Sequence, residues 1–253
     1  MDDLALARGA SAVAAGIIRD WGTRAKATRF KGEVDPVTAA DRAAEEAIVA
    51  MISRHRPDDS ILAEEGGGNG GGGRRWVVDP LDGTVNFLHG IPHVAVSIAL
   101  EDESGTLLGV VRDVFRDEEF LAERGGGATR DGEPIRVSGC TELDRALVST
   151  GFPYDRHERP GEYARHVESV LRRTQGLRRA GAAALDLAWV AAGLLDAHWE
   201  FRLSPWDVAA GFLLVTEAGG SVIGFGSEPS HLAFVAGSPA IAPLLRDLIS
   251  ESR

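Results

Sequence analysis

Residues 76–87 read Trp76-Val77-Val78-Asp79-Pro80-Leu81-Asp82-Gly83-Thr84-Val85-Asn86-Phe87. Three apolar residues make the end of a buried strand, which puts Asp79 at its tip. Pro80 keeps Asp79 extended, because the residue before a proline is pushed out of the helical region. Gly83 permits a turn that a Cβ would resist. Two carboxylates three positions apart on such a turn converge on one point. Left unpaired, their repulsion raises a pKa or splays them. A hard divalent cation removes the conflict, and an all-oxygen donor set suits magnesium. The carbonyl of Leu81 is a further ligand candidate, and the N–H groups of Gly83 and Thr84 can meet phosphate oxygens. A lone Asp-Pro or Asp-Gly is an ordinary turn; the whole string at a strand end is read as functional.

The chain around this string has 253 residues, 44% hydrophobic and 26% charged, which suits one folded domain. Its formal net charge of -11 excludes a broad attraction to nucleic acid or to an anionic membrane. An anionic ligand therefore needs a local positive source, which a bound cation supplies. Cys140 is the only cysteine, so no intramolecular disulfide and no cysteine-rich zinc site can form; it is read as a small core residue. The start of the chain does not look like a signal peptide, and no run approaches the roughly 20 apolar residues that span a bilayer. A cytoplasmic protein is expected.

Periodicity predicts helices over 4–20, 39–54, 161–175, 182–193, 206–218 and 239–251, and strands over 60–63, 76–78, 94–100, 107–114, 146–149 and 232–236. In the second helix Ala40, Ala43, Ala44, Ala47, Ile48 and Met51 form the apolar stripe, with Asp41, Arg42, Glu45 and Glu46 as polar positions and Thr38 as N-cap. The glycine run from Gly66 to Gly73 is read as a connector, since no strand–loop–helix spacing with a lysine follows it. Residues 124–128 and 130–133 are turn-rich. His89 and His93 have the spacing of a zinc pair on a helix, but Pro92 lies between them and no helical pattern surrounds them, so they are read as non-ligands. Asp207 follows Ser204-Pro205-Trp206 and is also the fourth residue of a capping box.

Asp79-Pro80-Leu81-Asp82-Gly83-Thr84-Val85-Asn86-Phe87 resembles the signature of the inositol monophosphatase family, the lithium-sensitive magnesium phosphatases. The likeness runs through nearly the whole chain. Lys31-Gly32 and Asp35-Pro36-Val37-Thr38-Ala39-Ala40-Asp41 are similar to an upstream family segment, and Glu64-Glu65 to its acidic pair. Trp206-Asp207-Val208-Ala209-Ala210-Gly211 is similar to the second signature, and Glu217-Ala218-Gly219-Gly220 continues it. The resemblance implies an α+β protein, a layered αβαβα sandwich of the inositol monophosphatase and fructose-1,6-bisphosphatase type. It implies one domain over 1–253, with an N-terminal half to about 140 and a C-terminal half from about 141 that carries Asp207.

The resemblance further implies two magnesium ions. Glu64, Asp79 and the Leu81 carbonyl would hold one; Asp79, Asp82 and Asp207 the other; a third, weaker ion touching Glu64 is left open. Thr84, hydrogen-bonded to Asp41, would orient the attacking water together with Glu64. Asp82, Gly83, Thr84 and Asp207 would line the phosphate side, and Glu200 with the backbone near Ala183 would meet polyol hydroxyls. Lys31 is read as a surface residue. Water attacks directly, with no phosphoenzyme. Lithium sensitivity and a homodimer are implied in the same way.

Gly151-Phe152-Pro153-Tyr154-Asp155 and Ala182-Ala183-Ala184-Leu185-Asp186-Leu187 look most like bacterial inositol phosphatases, which ranks inositol monophosphate first. Ala182 stands where many relatives carry Ser or Thr. Fructose 1,6-bisphosphate, a 3′-phosphoadenosine nucleotide and histidinol phosphate are the alternatives, the first because Arg178 and Arg179 can grip a second phosphate. An alternative of another class is a regulatory binding protein that keeps the phosphatase fold, as some bacterial relatives are thought to be toward the transcription machinery.

Overall fold

A computed structural model describes residues 1–25, 39–64, 66, 73–225 and 232–252. Lys31, the expected Thr38 cap, Glu65 and positions 67–72 of the glycine run lie outside the described residues. Helices α1 (Asp3–Ala25) and α2 (Ala39–His55) open the chain. Strands β1 (Ser60–Ala63) and β2 (Arg75–Asp82) follow, then a short helix α3 (Thr84–His89). Next come β3 (Ala95–Asp102), β4 (Gly105–Asp113), β5 (Glu118–Glu123), β6 (Gly127–Arg130) and β7 (Glu133–Pro134). The second half runs β8 (Leu147–Thr150), α4 (Pro160–Leu171), β9 (Gly176–Arg178), α5 (Ala183–Ala191), β10 (Ala197–Leu203), α6 (Pro205–Glu217), β11 (Ser221–Gly224), β12 (Leu232–Gly237) and α7 (Ile241–Glu251).

Among the described residues the first seven strands form one sheet in chain order, with only β1 and β2 parallel. The other five form a second sheet in the order β11-β12-β10-β8-β9, where β10 is parallel to β8 and antiparallel to β12.

The layering follows from which faces are apolar. Side chains alternate across a strand, so Trp76 and Val78 enter one core while Val77 enters another. The Trp76 side, with Val96, Ile98 and Leu100 of β3, is closed by Leu6, Ala10 and Ile18 of α1 and by Ala44, Ile48 and Ile52 of α2. The Val77 side, with Ala95 and Ala99, packs on Leu185 and Leu187 of α5 and Ala210 and Leu214 of α6. Phe234 and Ala236 of β12 reach the same two helices from the second sheet. On that sheet's outer face Val148, Trp199 and Val235 meet Tyr163 and Val170 of α4 and Leu245 and Ile249 of α7. Helices, sheet, helices, sheet, helices is the αβαβα sandwich the resemblance implied. With both faces covered, β2 and β3 are apolar runs with little alternation of polarity. No helix among the described residues is long and apolar enough to cross a membrane.

Several local expectations change. Strand β2 does not stop at Val78 but runs on through Asp82, with an irregular register against β3 between Asp79 and Asp82. The two carboxylates therefore flank a bulge, and the turn comes after them, at Gly83 with φ 91°. Asp41 and Glu45, read as polar positions of α2, are buried, and Met51 is only half-buried. Residues 84–89 form a helix, yet His93 lies beyond its end, so His89 and His93 share no helical face. Cys140 is half-buried at the edge of the outer core. Strand β5 precedes the turn-rich 124–128 segment, and β9, β10 and β11 were not foreseen.

The middle layer sits close against the first sheet: a Cβ on Gly109 of β4 would fall 2.8 Å from the Cα of Ala210 of α6. Backbone on both sides leaves no flexible end to yield. Gly109→Ala is expected to cost about 1–3 kcal/mol, the scale of overpacking a filled core, measured by urea denaturation. An unchanged midpoint would show that sheet and helix part freely.

Candidate active site

One cavity of about 460 Å³ takes its walls from both halves of the chain. Glu64 follows β1; Asp79, Leu81, Asp82, Gly83 and Thr84 come from β2 and the start of α3. Gly151 to Pro153 follow β8, Arg179 and Ala183 lead into α5, Glu200 and Arg202 stand on β10, and Asp207 begins α6. Glu64, Asp79, Leu81, Asp82, Gly83, Thr84, Ala183, Glu200 and Asp207, far apart in sequence, are thus brought together. Asp41 is not among the lining residues; it is buried in the first turn of α2. Arg179 lines the cavity, whereas Arg178 is exposed on β9.

Backbone amides hold the acidic side chains. The N–H of Leu81 donates to Asp79 Oδ1 at 3.0 Å. Asp82 accepts from the N–H of Ala183 at 3.2 Å and of Ala184 at 2.8 Å, so it caps α5 from across the molecule. The first amides of a helix lack partners of their own and favour a negative charge. Asp207 accepts the N–H of Ser204 at 2.7 Å, the capping box read from the sequence. Thr84 departs from expectation: its hydroxyl donates to the Leu81 carbonyl at 3.2 Å and not to Asp41. At the first position of α3 it reaches back to a nearby carbonyl, as serine and threonine commonly do. The Ala183 N–H itself donates to Asp82, and the backbone near Ala183 lines the cavity.

Asn86 was passed over in the sequence although it belongs to the quoted string. Buried, it donates to the carbonyls of His93 at 2.8 Å and Ala180 at 2.9 Å, which pins the approach to α5 against α3. Asp186, His198 and Arg202 were passed over as well. The alternation of Ala197-His198-Trp199-Glu200-Phe201-Arg202-Leu203 is the signal that could have found the strand carrying two of them.

The electrostatics are unfavourable as they stand. Burial pushes the Asp79 carboxyl well above the usual carboxylate range, and the charges of Asp82, Glu64 and Asp207 push it further. Asp82 is raised by burial and by Asp207, against the pull of the Ala184 amide. Burial raises Asp207 to about 7, with Glu200 adding to it and the Ser204 amide opposing. No Lys, Arg or His of the described residues pairs with Asp79, Asp82 or Asp207. Nor do three or more His, Cys, Asp or Glu side chains among the described residues stand close enough together, as they are placed, to hold a metal ion. What they form is an oxygen-rich wall whose repulsion is uncompensated, with an oxygen of Asp79 and of Asp207 left over from the amide bonds. Hard oxygen donors and unmet negative charge fit a divalent cation of the magnesium type.

A family model described as "Inositol monophosphatase family" matches residues 2–252. The chain belongs to that family. It is 51% identical over 201 residues to the Nus factor SuhB of Pseudomonas aeruginosa, covering 77% of this chain and 74% of that protein. It is 44% identical over 195 residues to an inositol-1-monophosphatase of Mesorhizobium japonicum, covering 76% and 73%. The structure of an inositol monophosphatase from Anabaena superposes with a TM-score of 0.87 at 39% identity, over 98% of this chain and 95% of that one. This member is accordingly a phosphatase, a hydrolase of small-molecule phosphates, in a metal-dependent family that typically uses magnesium.

A carboxyl whose folded-state pKa exceeds its unfolded value binds its proton more tightly when folded. Asp207 therefore costs no stability below about pH 4, a growing amount from there to about 7, and its full amount above. Without divalent cations, Asp207→Asn is expected to raise Tm at pH 8 by at least about 2–4 °C, the shift that 1 kcal/mol gives a chain of this size. The gain should shrink toward zero at pH 4.5. Thermal melts in chelator decide it; a gain that does not fall with pH would refute the electrostatic origin.

Proposed function

We propose that the chain is a magnesium-dependent hydrolase of a small polyol phosphate, with inositol monophosphate as the favoured substrate. The observation that carries this reading is the cluster of Asp79, Asp82 and Asp207, raised by burial and by neighbouring carboxylates and paired with no Lys, Arg or His of the described residues, on the wall of a cavity of a size for a small phosphate ester. Glu64, Asp79, the Leu81 carbonyl, Asp82 and Asp207 are the residues assigned to hold two ions. Bound there, cations would offset phosphate charge, acidify the attacking water and stabilise the leaving alkoxide. Gly83 and Thr84 begin α3, whose first amides have no intrahelical acceptor and can receive phosphate oxygens. Glu64 and Thr84 orient the water for direct attack, with no phosphoenzyme. Asp41, buried in the first turn of α2, stays in this set as the residue the resemblance pairs with Thr84, whose hydroxyl here donates to the Leu81 carbonyl. Glu200 accepts hydroxyls of the polyol. The sequence likeness to an inositol-1-monophosphatase supports the ranking of substrates. By the same likeness we assign a lithium-sensitive cytoplasmic homodimer built from one domain whose halves meet near residue 140.

A bisphosphate substrate is a second reading, and one feature favours it. Arg156, Arg179 and Arg202 line the same cavity, and none of them figures among the influences on Asp79, Asp82 or Asp207. Guanidinium groups on that wall suit the anionic second phosphate of such a substrate. Arg179→Ala is expected to lower kcat/KM for fructose 1,6-bisphosphate about tenfold more than for inositol 1-phosphate under this reading, and both alike under the first. A regulatory role draws on the name of the Pseudomonas relative, while the intact carboxylate set favours turnover.

Asp79→Asn is expected to lower magnesium-dependent phosphate release from inositol 1-phosphate by at least about 10³-fold with the melting curve still cooperative. A folded variant with near-normal turnover would remove Asp79 from the ion site.

A further inference from the structure

Strand β10 puts His198 and Glu200 two residues apart on one face, while Trp199 between them enters the outer core. The Glu200 carboxylate is confined on two sides. A Cβ on Gly151 would fall 1.8 Å from its Oε1, so the carboxylate fills the space that the glycine leaves. Its Oε2 lies 3.2 Å from His198 Nε2.

His198 is fully buried, and its Nδ1 is 2.8 Å from the Oγ of Ser149. Ser149 occupies the position directly across on the parallel strand β8. The nearest oxygen of Asp186 is 3.9 Å from Nδ1, beyond hydrogen-bond reach, which leaves Ser149 as the partner of that nitrogen. Nε2 has no aligned partner; the 3.2 Å approach is off line. A buried ring nitrogen is seldom left unbonded, and a small turn of either side chain aligns the pair. With the Ser149 hydroxyl donating to Nδ1, the ring hydrogen resides on Nε2 and faces the carboxylate. The other tautomer would set a lone pair against a carboxylate oxygen.

We propose that His198 is the positioning residue for Glu200: it fixes the plane of that carboxylate toward the cavity and so sets discrimination for alcohols that carry hydroxyls beside the ester. The inference rests on the reading that Glu200 meets substrate hydroxyls. Ser149 serves it by fixing the tautomer, and Gly151 by leaving room for Oε1. Arg202, two positions further along, lines the same cavity with a left-handed φ of 59°, so the strand end is shaped for the cavity at a cost in backbone energy.

The test compares inositol 1-phosphate with p-nitrophenyl phosphate, an ester without polyol hydroxyls, at saturating magnesium. His198→Phe keeps an aromatic ring of similar size and removes both nitrogens. It is expected to raise KM for inositol 1-phosphate about tenfold, the scale of one charge-assisted hydrogen bond. Its kcat, and kcat/KM for p-nitrophenyl phosphate, should stay within about twofold. His198→Gln, whose amide can donate to Oε2, should recover most of the loss, and Ser149→Ala should show a smaller rise. A His198→Phe variant that affects neither ester, or both alike, overturns the proposal. Glu200→Gln separates the two levels. If it discriminates between the esters and His198→Phe does not, only the role of His198 falls. If Glu200→Gln does not discriminate either, the assignment of Glu200 to substrate hydroxyls falls with it.

Discussion

Asp82 accepting the amides of Ala183 and Ala184 is the interaction on which the rest of the site depends. It joins the end of β2, in the first sheet, to the start of α5, which leads into the second. A buried carboxylate is costly; two aligned donors at a helix N-terminus are among the few settings that hold one. The bond therefore does two things at once. It docks the two halves at a fixed register, and it offsets part of the burial and of the Asp207 repulsion that raise the Asp82 carboxyl. Asp207 and Ser204 repeat the device at the start of α6. Asp82 and Asp207 are thus tied to two helix ends of the shared middle layer, while β10 brings Glu200 and Arg202 to the same cavity.

Much of this was legible in the residue string. Residues 76–87 announced converging carboxylates because strand, proline and glycine each constrain the backbone independently of context. The helices of the second half were found with ends shifted by a few residues, since apolar periodicity survives even where a helix is buried nearly all round, as α5 is. The layer order came from the likeness of the two signatures to a family, not from periodicity.

What escaped notice was set by tertiary contact. Strand β10 alternates like a half-exposed strand, but its polar face is turned inward to the cavity, so His198 and Glu200 are buried where a surface pattern would leave them wet. Asp41 and Glu45 look like solvent positions on α2 and are covered by packing. The Thr84 hydroxyl found a carbonyl three residues back in preference to a carboxylate remote in sequence. In each case the partner was not legible in the residue string, because partners are chosen by the fold.

The Asn86 amide has a reach beyond its own turn. By holding the carbonyls of His93 and Ala180 together, it couples the stretch that follows α3 to the stretch that carries Arg179 into α5. The turn at the start of α3 and the cavity wall that carries Arg179 are therefore fastened to each other by one buried side chain. Such a fastening holds two walls of one cavity in register, and here a single side-chain amide supplies it.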